Sequence, residues 1–302
     1  MSSVLVIGAG VIGLTTAVHL AESGHEVRVE TESLPEETTS AAAGASWDPY
    51  LAEPLHLVES WSRRTLTALR ALSEDPASGV RLVEGTHESR IPCALPAWAS
   101  WADAKSCAPR PGYAEAWRYR APVIDMPRYL THLTERLRAA GGTLRRRRYE
   151  TLPPAPVVVN CTGIGARSLV DDPSVHPVRG RLVVVRNPGI DTFFCDDTPD
   201  ADELTYFYPH FAHVVLGGTA DAGAWDTGPD PETARRIVRR CAEVEPALAG
   251  AELIGHRVGL RPVRPQVRLE REGNVIHNYG HGGAGVTLSW GCAQDVEALL
   301  TD

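Results

Sequence analysis

Positive charge is in deficit: 30 Lys plus Arg face 38 Asp plus Glu, and the formal charge of the 302 residues is −8. That balance excludes a nucleic-acid partner, whose phosphates call for a basic surface. The tract Arg145 to Arg148 therefore reads as a solvated strand or loop edge. Clustered cysteine is missing too. Cys93, Cys107, Cys161, Cys195, Cys241 and Cys292 are scattered, with no C-x-x-C and no His/Cys group at metal-ligand spacing. No metal site is expected, and reduced thiols in a cytoplasm fit best. No stretch approaches the ~20 apolar residues of a membrane span. The N-terminus runs straight into Val4 to Ile7, too short for the apolar core of a signal peptide, and Leu299 to Asp302 carries no peroxisomal Ser-Lys-Leu. Repeats, low-complexity tracts and coiled-coil heptads are absent. What is present is apolar mass: 43% hydrophobic content at this length buries a large core, in one large domain or two interlocked ones.

The apolar pattern opens with a strand, Val4 to Ile7, and a helix, Val11 to Ala21, followed by a second strand, Glu26 to Val29, that ends in Glu30. Between the first two lies Gly8-Ala9-Gly10-Val11-Ile12-Gly13. G-x-G-x-x-G alone is a weak signal, but its place between strand and helix is what a βαβ dinucleotide fold requires. Gly8 permits the tight turn, Gly10 leaves room for a pyrophosphate, and Gly13 lets the helix pack on the strand. The helix N-terminus then offers N–H groups and a partial positive charge to the phosphates. A purely structural turn is the alternative. Glu30, at the carboxyl end of the second strand, is the expected adenosine-ribose ligand, with Glu32 as the fallback and a solvated surface carboxylate as the alternative for either.

A further parallel strand, Val157 to Val159, is wholly apolar, as a strand covered on both faces should be. It runs into Asn160-Cys161-Thr162-Gly163-Ile164-Gly165, a polar turn at the strand edge where ligands of open α/β sheets collect. Pro127 to Ala140 reads as an amphipathic helix with Leu130, Leu133 and Leu137 on one face, ended by Gly141 and Gly142. Near the C-terminus an Arg/Pro ladder, Arg257 to Pro265, precedes a glycine loop, Asn278 to Gly285, and a final helix from about Val286 to Leu300. Pro262 and Pro265 bias Arg261 and Arg264 toward extended backbone, so each guanidinium projects at a set position and suits a carboxylate held by two hydrogen bonds. A solvated basic loop is the alternative.

The nucleotide-type pieces lie at 1–50, 125–178 and 256–302, and two other stretches, 51–124 and 179–255, separate them. The second of these is strand-rich, through Leu182 to Val185, Tyr206 to Pro209 and Val214 to Gly218. The fold class expected is α/β: a discontinuous Rossmann-type domain with a second, mainly antiparallel β-sheet domain capping the cofactor and binding substrate.

Five segments together closely resemble the D-amino acid oxidase family of FAD flavoproteins, in order along nearly the whole chain. They are Gly8 to Leu14, Thr38-Thr39-Ser40-Ala41-Ala42-Ala43-Gly44, Val159 to Gly163, Leu260 to Glu272, and Val275 to Gly283. The resemblance implies FAD in the βαβ unit and oxidation of a D-amino acid to an imino acid by hydride transfer to flavin N5. Reoxidation by O2 gives H2O2, and hydrolysis of the imino acid gives a 2-oxo acid and ammonia. It also implies roles. The catalytic set is Arg261 and Tyr206 on the substrate carboxylate and the Gly283 carbonyl on the amine, with Arg264 structural. Besides the glycine turn, Thr38, Thr39, Ser40, Ala43, Gly44, Ala45, Thr162, Gly163, Gly282, Gly283, Gly285, Val286 and Thr287 would hold FAD. The final helix would aim its positive end at the flavin. The partners implied are a D-amino acid and O2, with a homodimer allowed and neither nucleic acid nor membrane expected. Lys105 is the only lysine, a bias of GC-rich bacterial genomes, and a bacterial cytoplasm is the expected location.

The chain departs from the family at Asp202, where mammalian members carry a lid tyrosine, and the Gly180 to Pro209 stretch looks shorter than that lid. Tyr50 and Tyr208 are open between pocket lining and core. His281 reads as a hydrogen-bonded spacer, and Trp47, Trp225 and Trp290 as packing. The aromatic cast of Phe207, Tyr208 and Phe211 favours neutral or apolar substrates. His210 and His213 keep a D-aspartate oxidase open, a glycine or sarcosine oxidase is a second alternative, and a flavin-binding sensor is the non-enzymatic one.

Overall fold

In the computed structural model, which describes residues 2–49, 51–199 and 203–301, the expected βαβ unit opens the chain. It comprises β1 (Ser3–Ile7), α1 (Val11–Glu22) and β2 (Glu26–Thr31), followed by a short α2 (Thr39–Ala42) and by α3 (Leu55–Leu72). Next come β3 (Val80–Ser89), β4 (Lys105–Ser106), β5 (Glu115–Ile124), α4 (Met126–Ala139), β6 (Thr143–Arg146), β7 (Val157–Asn160) and α5 (Ala166–Leu169). The remainder holds β8 (His176–Arg186), β9 (Phe193–Asp196), β10 (Tyr206–Pro209), β11 (His213–Gly217), β12 (Asp221–Ala222), α6 (Pro231–Val244), β13 (Leu253–Glu272), β14 (Val275–His281) and α7 (Gly285–Thr301).

Hydrogen bonding joins the strands into one path with two characters. Strands β14, β7, β1, β2 and β6 lie side by side and parallel. Strands β13, β8, β11, β10 and β9 are antiparallel neighbours, continued by β3, β5 and β4. The Arg/Pro ladder is β13, and it belongs to both sets: it pairs with β8 from Leu253 to Val263 and with β14 from Val263 onward. The fold class is the expected one, a Rossmann-type parallel half with an antiparallel half beside it.

Packing explains the halves. The strands of the parallel half are apolar because helices cover them; Val4, Val6, Leu14, Val18, Val29 and Val159 are all buried. Helix α4 buries Leu130, Leu133 and Leu137 and ends before Gly141, which takes a φ of 84°. In the antiparallel half, alternation along each strand divides the side chains. Val183, Val185, Phe194, Phe207, Val214 and Leu216 turn to α6, whereas Leu182, Val184, Val215 and Tyr206 turn the other way.

The stretch 51–124 divides as well. Its strands join the antiparallel half, but α3 lies on α7, where Val58 and Trp61 meet Leu288 and Cys292. A Cβ at Gly291 would overlap the backbone of Trp61, so the two helices touch main chain to main chain. Gly291→Ala is expected to push them apart and to lower stability by about 1–3 kcal/mol in thermal or urea unfolding. An unchanged transition would contradict the contact.

Candidate functional site

The carboxyl ends of the parallel strands and the inner face of the antiparallel sheet enclose a cavity of about 940 Å³, at the upper end of ordinary ligand sites. Most of the expected site residues meet there. Gly8, Ala9, Gly10, Val11 and Ile12 line it beside Thr38, Thr39, Ser40, Ala43, Gly44 and Ala45. Thr162 and Gly163 approach from the end of β7, and Gly282, Gly283, Gly285 and Val286 from the turn into α7. Tyr206 and Arg261 complete it from the antiparallel side. Gly13, Glu30 and Thr287 do not line it.

Each of these three has a physical reason. A Cβ at Gly13 would overlap the Gly8 carbonyl oxygen, so its role is the close packing of α1 on the turn. Thr287 faces Asp48: its hydroxyl accepts the Asp48 N–H at 3.0 Å and donates to the Asp48 carbonyl at 2.9 Å. For Glu30, the second strand runs on to Thr31, so its carboxyl end lies beyond the predicted position. The Glu30 carboxylate is buried, accepts the Tyr149 hydroxyl and lies 3.7 Å from Arg147 Nη1. Glu32 lines the cavity instead. So do Arg147, Arg148 and Tyr149, so the arginine tract, exposed as expected, also borders the site.

The cavity suits a large polar ligand. Gly8 sits at φ 109°, where a Cβ would overlap the Cys161 carbonyl oxygen, and Ser40 Oγ accepts the first N–H of α1, from Val11, at 2.9 Å. Ser46 Oγ, Asn278 Oδ1 and His281 Nε2 belong to residues lining the cavity and have no hydrogen-bond partner among the described residues. Such orphaned atoms call for a bound polar group. Burial pushes the His281 imidazole down to about 3, so it is neutral. A dinucleotide fits these features: glycine backbone at the pyrophosphate position, a helix N-terminus behind it, and polar atoms awaiting partners.

At the other end, the Arg261 guanidinium lies across Gly180, where a Cβ would come within 2.7 Å of it, and donates to the Thr219 carbonyl at 2.9 Å. Tyr206 lies opposite Gly217 in the β10–β11 register, and a Cβ at Gly218 would sit 3.2 Å from its hydroxyl. Both polar groups are thus laid over glycines of the inner sheet face. Arg264 goes elsewhere. Its Nε donates to Asp172 Oδ2 at 2.9 Å, and the same oxygen accepts the Tyr279 hydroxyl at 2.8 Å.

Strand alternation separates the residues of the aromatic segment. Phe207 is buried on the α6 face, stacked on Phe194, and Phe211 is exposed on the hairpin between Arg81 and Arg128. Of the three aromatics only Tyr208 lines the cavity. His210 and His213 stack on each other at that hairpin, near Asp125, and are not among the lining residues. Trp47 and Trp290 are buried and hydrogen-bonded to Ser62 and Tyr129, but Trp225 is exposed rather than packed. Tyr50 and Asp202 lie outside the described residues.

Sequence spacing also missed Asp48, Cys195 and Asp197, which line the cavity from three separate segments. With His87 behind them, Asp48 and Cys195 each offer a ligand-type atom within 4.8 Å of the others, as do Asp125, His210 and His213 at the hairpin. Residues this far apart in the chain carry no local signature.

The DAO family, described as FAD dependent oxidoreductase, matches residues 3–299. A D-amino-acid oxidase from Streptomyces coelicolor is 50% identical over 315 residues, which cover 99% of this chain and 96% of that protein. A D-amino-acid oxidase from Rubrobacter xylanophilus is 49% identical over 311 residues, 98% of this chain and 94% of its own. Among solved structures, L-proline dehydrogenase from P. horikoshii shares the fold with a TM-score of 0.83 at 15% identity, covering 99% of this chain and 93% of that one.

The Asp172 carboxylate couples this region to pH. Burial pushes its carboxyl up, but hydrogen bonds from Ser174, Tyr279 and Arg264 outweigh that and hold it at about 2. A depressed folded value means stabilisation present above the ordinary carboxylate range and lost as pH falls toward about 2. Asp172→Asn should lower the melting temperature at neutral pH, with the difference from wild type shrinking as the pH drops from about 4 toward 2. A pH-independent difference would contradict it.

Proposed function

The chain belongs to the DAO family of FAD-dependent oxidoreductases, and from that premise we propose that it is an oxidase of D-amino acids, converting them to 2-oxo acids and ammonia with reduction of O2 to H2O2. The observation that carries the reading is that Arg261 and Tyr206, from separate strands of one sheet face, line the same cavity as the Gly8 to Gly13 turn. A cation and a phenol beside a dinucleotide loop suit a small carboxylate substrate held against a redox cofactor. The chemistry supplied by bound FAD is acceptance of the hydride leaving the substrate α-carbon and delivery of the two electrons to O2.

The chain's own residues bind and orient. Arg261 holds the substrate carboxylate by charge-assisted hydrogen bonds, and the Tyr206 hydroxyl gives a second contact. Gly283, exposed on the cavity side of the turn before α7, turns its carbonyl to the substrate amine. A general base is not required at the carbon, and the neutral His281 suits that. The first turn of α7 borders the cavity, so its partial positive charge faces negative charge developing there.

For FAD, Gly8, Ala9, Gly10, Val11 and Ile12 take the pyrophosphate, with Gly13 holding α1 in place. Glu32 takes the ribose, because it lines the cavity and Glu30 does not. Thr38, Thr39, Ser40, Ala43, Gly44 and Ala45, Thr162 and Gly163, and Gly282, Gly285 and Val286 surround the rest. Thr287 acts through Asp48. Segments 1–50, 125–178 and 256–302 form the FAD-binding domain, and 51–124 with 179–255 form the cap, α3 being its tie to α7. No helix among the described residues is long and apolar enough to cross a membrane, and the six cysteines are unpaired, in keeping with a reducing cytoplasm.

Purified protein should be yellow and should release H2O2 from D-amino acids but not from their L-enantiomers. Arg261→Ala should cost about 2–5 kcal/mol in kcat/KM, most of it in KM, because the carboxylate loses its charge-assisted partner. Near-normal substrate affinity in that variant, or peroxide from L- but not D-amino acids, would overturn the reading.

A further inference from the structure

Beyond Tyr206 the cavity wall turns acidic. Tyr206 lies opposite Cys195 in the β10–β9 register, and Cys195 lies opposite His87 in the β9–β3 register, so the three follow one another across one sheet face. His87 is fully buried, with Nδ1 3.7 Å from Asp197 Oδ2 and Nε2 4.0 Å from Asp48 Oδ2. Asp48, Asp197 and Tyr208 line the cavity in front of it. Asp48 is anchored by its main chain to Thr287 at the start of α7, so its position is set by the same turn that carries Gly283.

The charges at this wall do not balance. Two carboxylates share one imidazole: with His87 protonated one negative charge remains, and with His87 neutral two remain. Asp48 and Asp197 each face His87, and Asp196 beside them is met by Arg90, whose Nε donates to its Oδ2 at 2.9 Å. Burial holds the Asp48 carboxyl up at about 6, His87 opposing the rise and Asp197 adding to it. Burial works against protonation of His87, yet Asp48 and Asp197 carry it above its ordinary value. An excess of negative charge on a partly buried cavity wall favours a cationic group against it.

We propose that this wall is the substrate side-chain subsite and that it selects D-amino acids with a long cationic side chain, Asp48 and Asp197 receiving the guanidinium or ammonium group. The inference rests on the oxidase reading of the same cavity. Arg261 and Tyr206 fix the α-carboxylate at one end, and the Cys195 and His87 strands lie one and two strand spacings farther on, roughly 5 and 10 Å. An extended side chain of arginine or lysine length reaches into that interval, whereas a short apolar one leaves the carboxylates unmet. An acidic side chain is repelled there. A metal ion would find a poor donor set: the Cys195 thiol is pushed well above its ordinary value by burial and its acidic neighbours, and Tyr119 is already hydrogen-bonded to His87 Nε2 at 2.9 Å.

The test compares kcat and KM for D-arginine and its neutral isostere D-citrulline, by peroxide release from the FAD-loaded enzyme, in wild type, Asp48→Asn and Asp197→Asn. Wild type should favour D-arginine by roughly ten-fold or more in kcat/KM, chiefly through KM. Either Asn variant should bring the ratio toward one, so one folded variant suffices. Equal or better use of D-citrulline by wild type, or a ratio unmoved in a folded variant, overturns the subsite while neutral D-amino acids are still oxidised. Silence toward every D-amino acid, D-alanine included, overturns the oxidase reading and the subsite with it.

Discussion

One strand has to serve both halves of the sheet, and the site depends on how it does so. β13 bonds to β8 along its first part and to β14 along its second, with the register broken between Val263 and Arg268 where the partner changes. Pro262 sits at that handover. It has no N–H to give, but its carbonyl accepts the Gly282 N–H at 2.9 Å, and its ring lies 3.7 Å from where a Cβ of Gly163 would stand. One residue therefore ties the ladder to the glycine loop and to the end of β7. On its other side, the Leu260 carbonyl accepts the Thr39 hydroxyl at 3.3 Å. Arg261, between those ties, cannot drift relative to the nucleotide turn.

The same geometry gives the cavity two poles. Glycines clear the inner sheet face at Gly180 and Gly217 so that the Arg261 guanidinium and the Tyr206 ring can lie over it. Beside that face, Asp48 from the loop after α2 and Asp197 from the end of β9 line the cavity with carboxylates. In the proposed binding mode, a substrate lying between would bring its carboxylate to the cationic pole and its side chain to the anionic one, with the α-carbon left to face the cofactor. Fixed charges of this kind orient a ligand before any chemistry occurs, which is where most of the protein's contribution to cofactor catalysis lies.

How much of this could be read in the chain depended on whether the signal was local. The Gly8 to Gly13 turn, α4 with its glycine stop and the extended ladder are all written in consecutive residues, and each forms where its pattern places it. Tyr206, Arg261 and Gly283 converge on one cavity as the family resemblance implies. Glu30 lies one residue short of the strand end, because strand ends are set by pairing: β6 pairs with β2 through Thr31 and prolongs it. Of the aromatic segment only Tyr208 reaches the cavity, because Phe207 and Tyr208 are neighbours in sequence and face opposite sides of the sheet. Asp48, His87 and Cys195 were invisible as a group, since only the folded register brings β9 beside β3 and the loop after α2 beside both.

In the proposed site the Arg261 and Tyr206 pair presents a D-amino acid to a flavin held by the Gly8 to Gly13 turn, all in one cavity. Anaerobic mixing of the yellow protein with D-arginine, D-alanine or the L-enantiomers tests this most directly, because it isolates the reductive step from O2. The visible absorbance of oxidised flavin should be lost with the D-enantiomers alone. Equal bleaching by D- and L-enantiomers, or none by either, would contradict it.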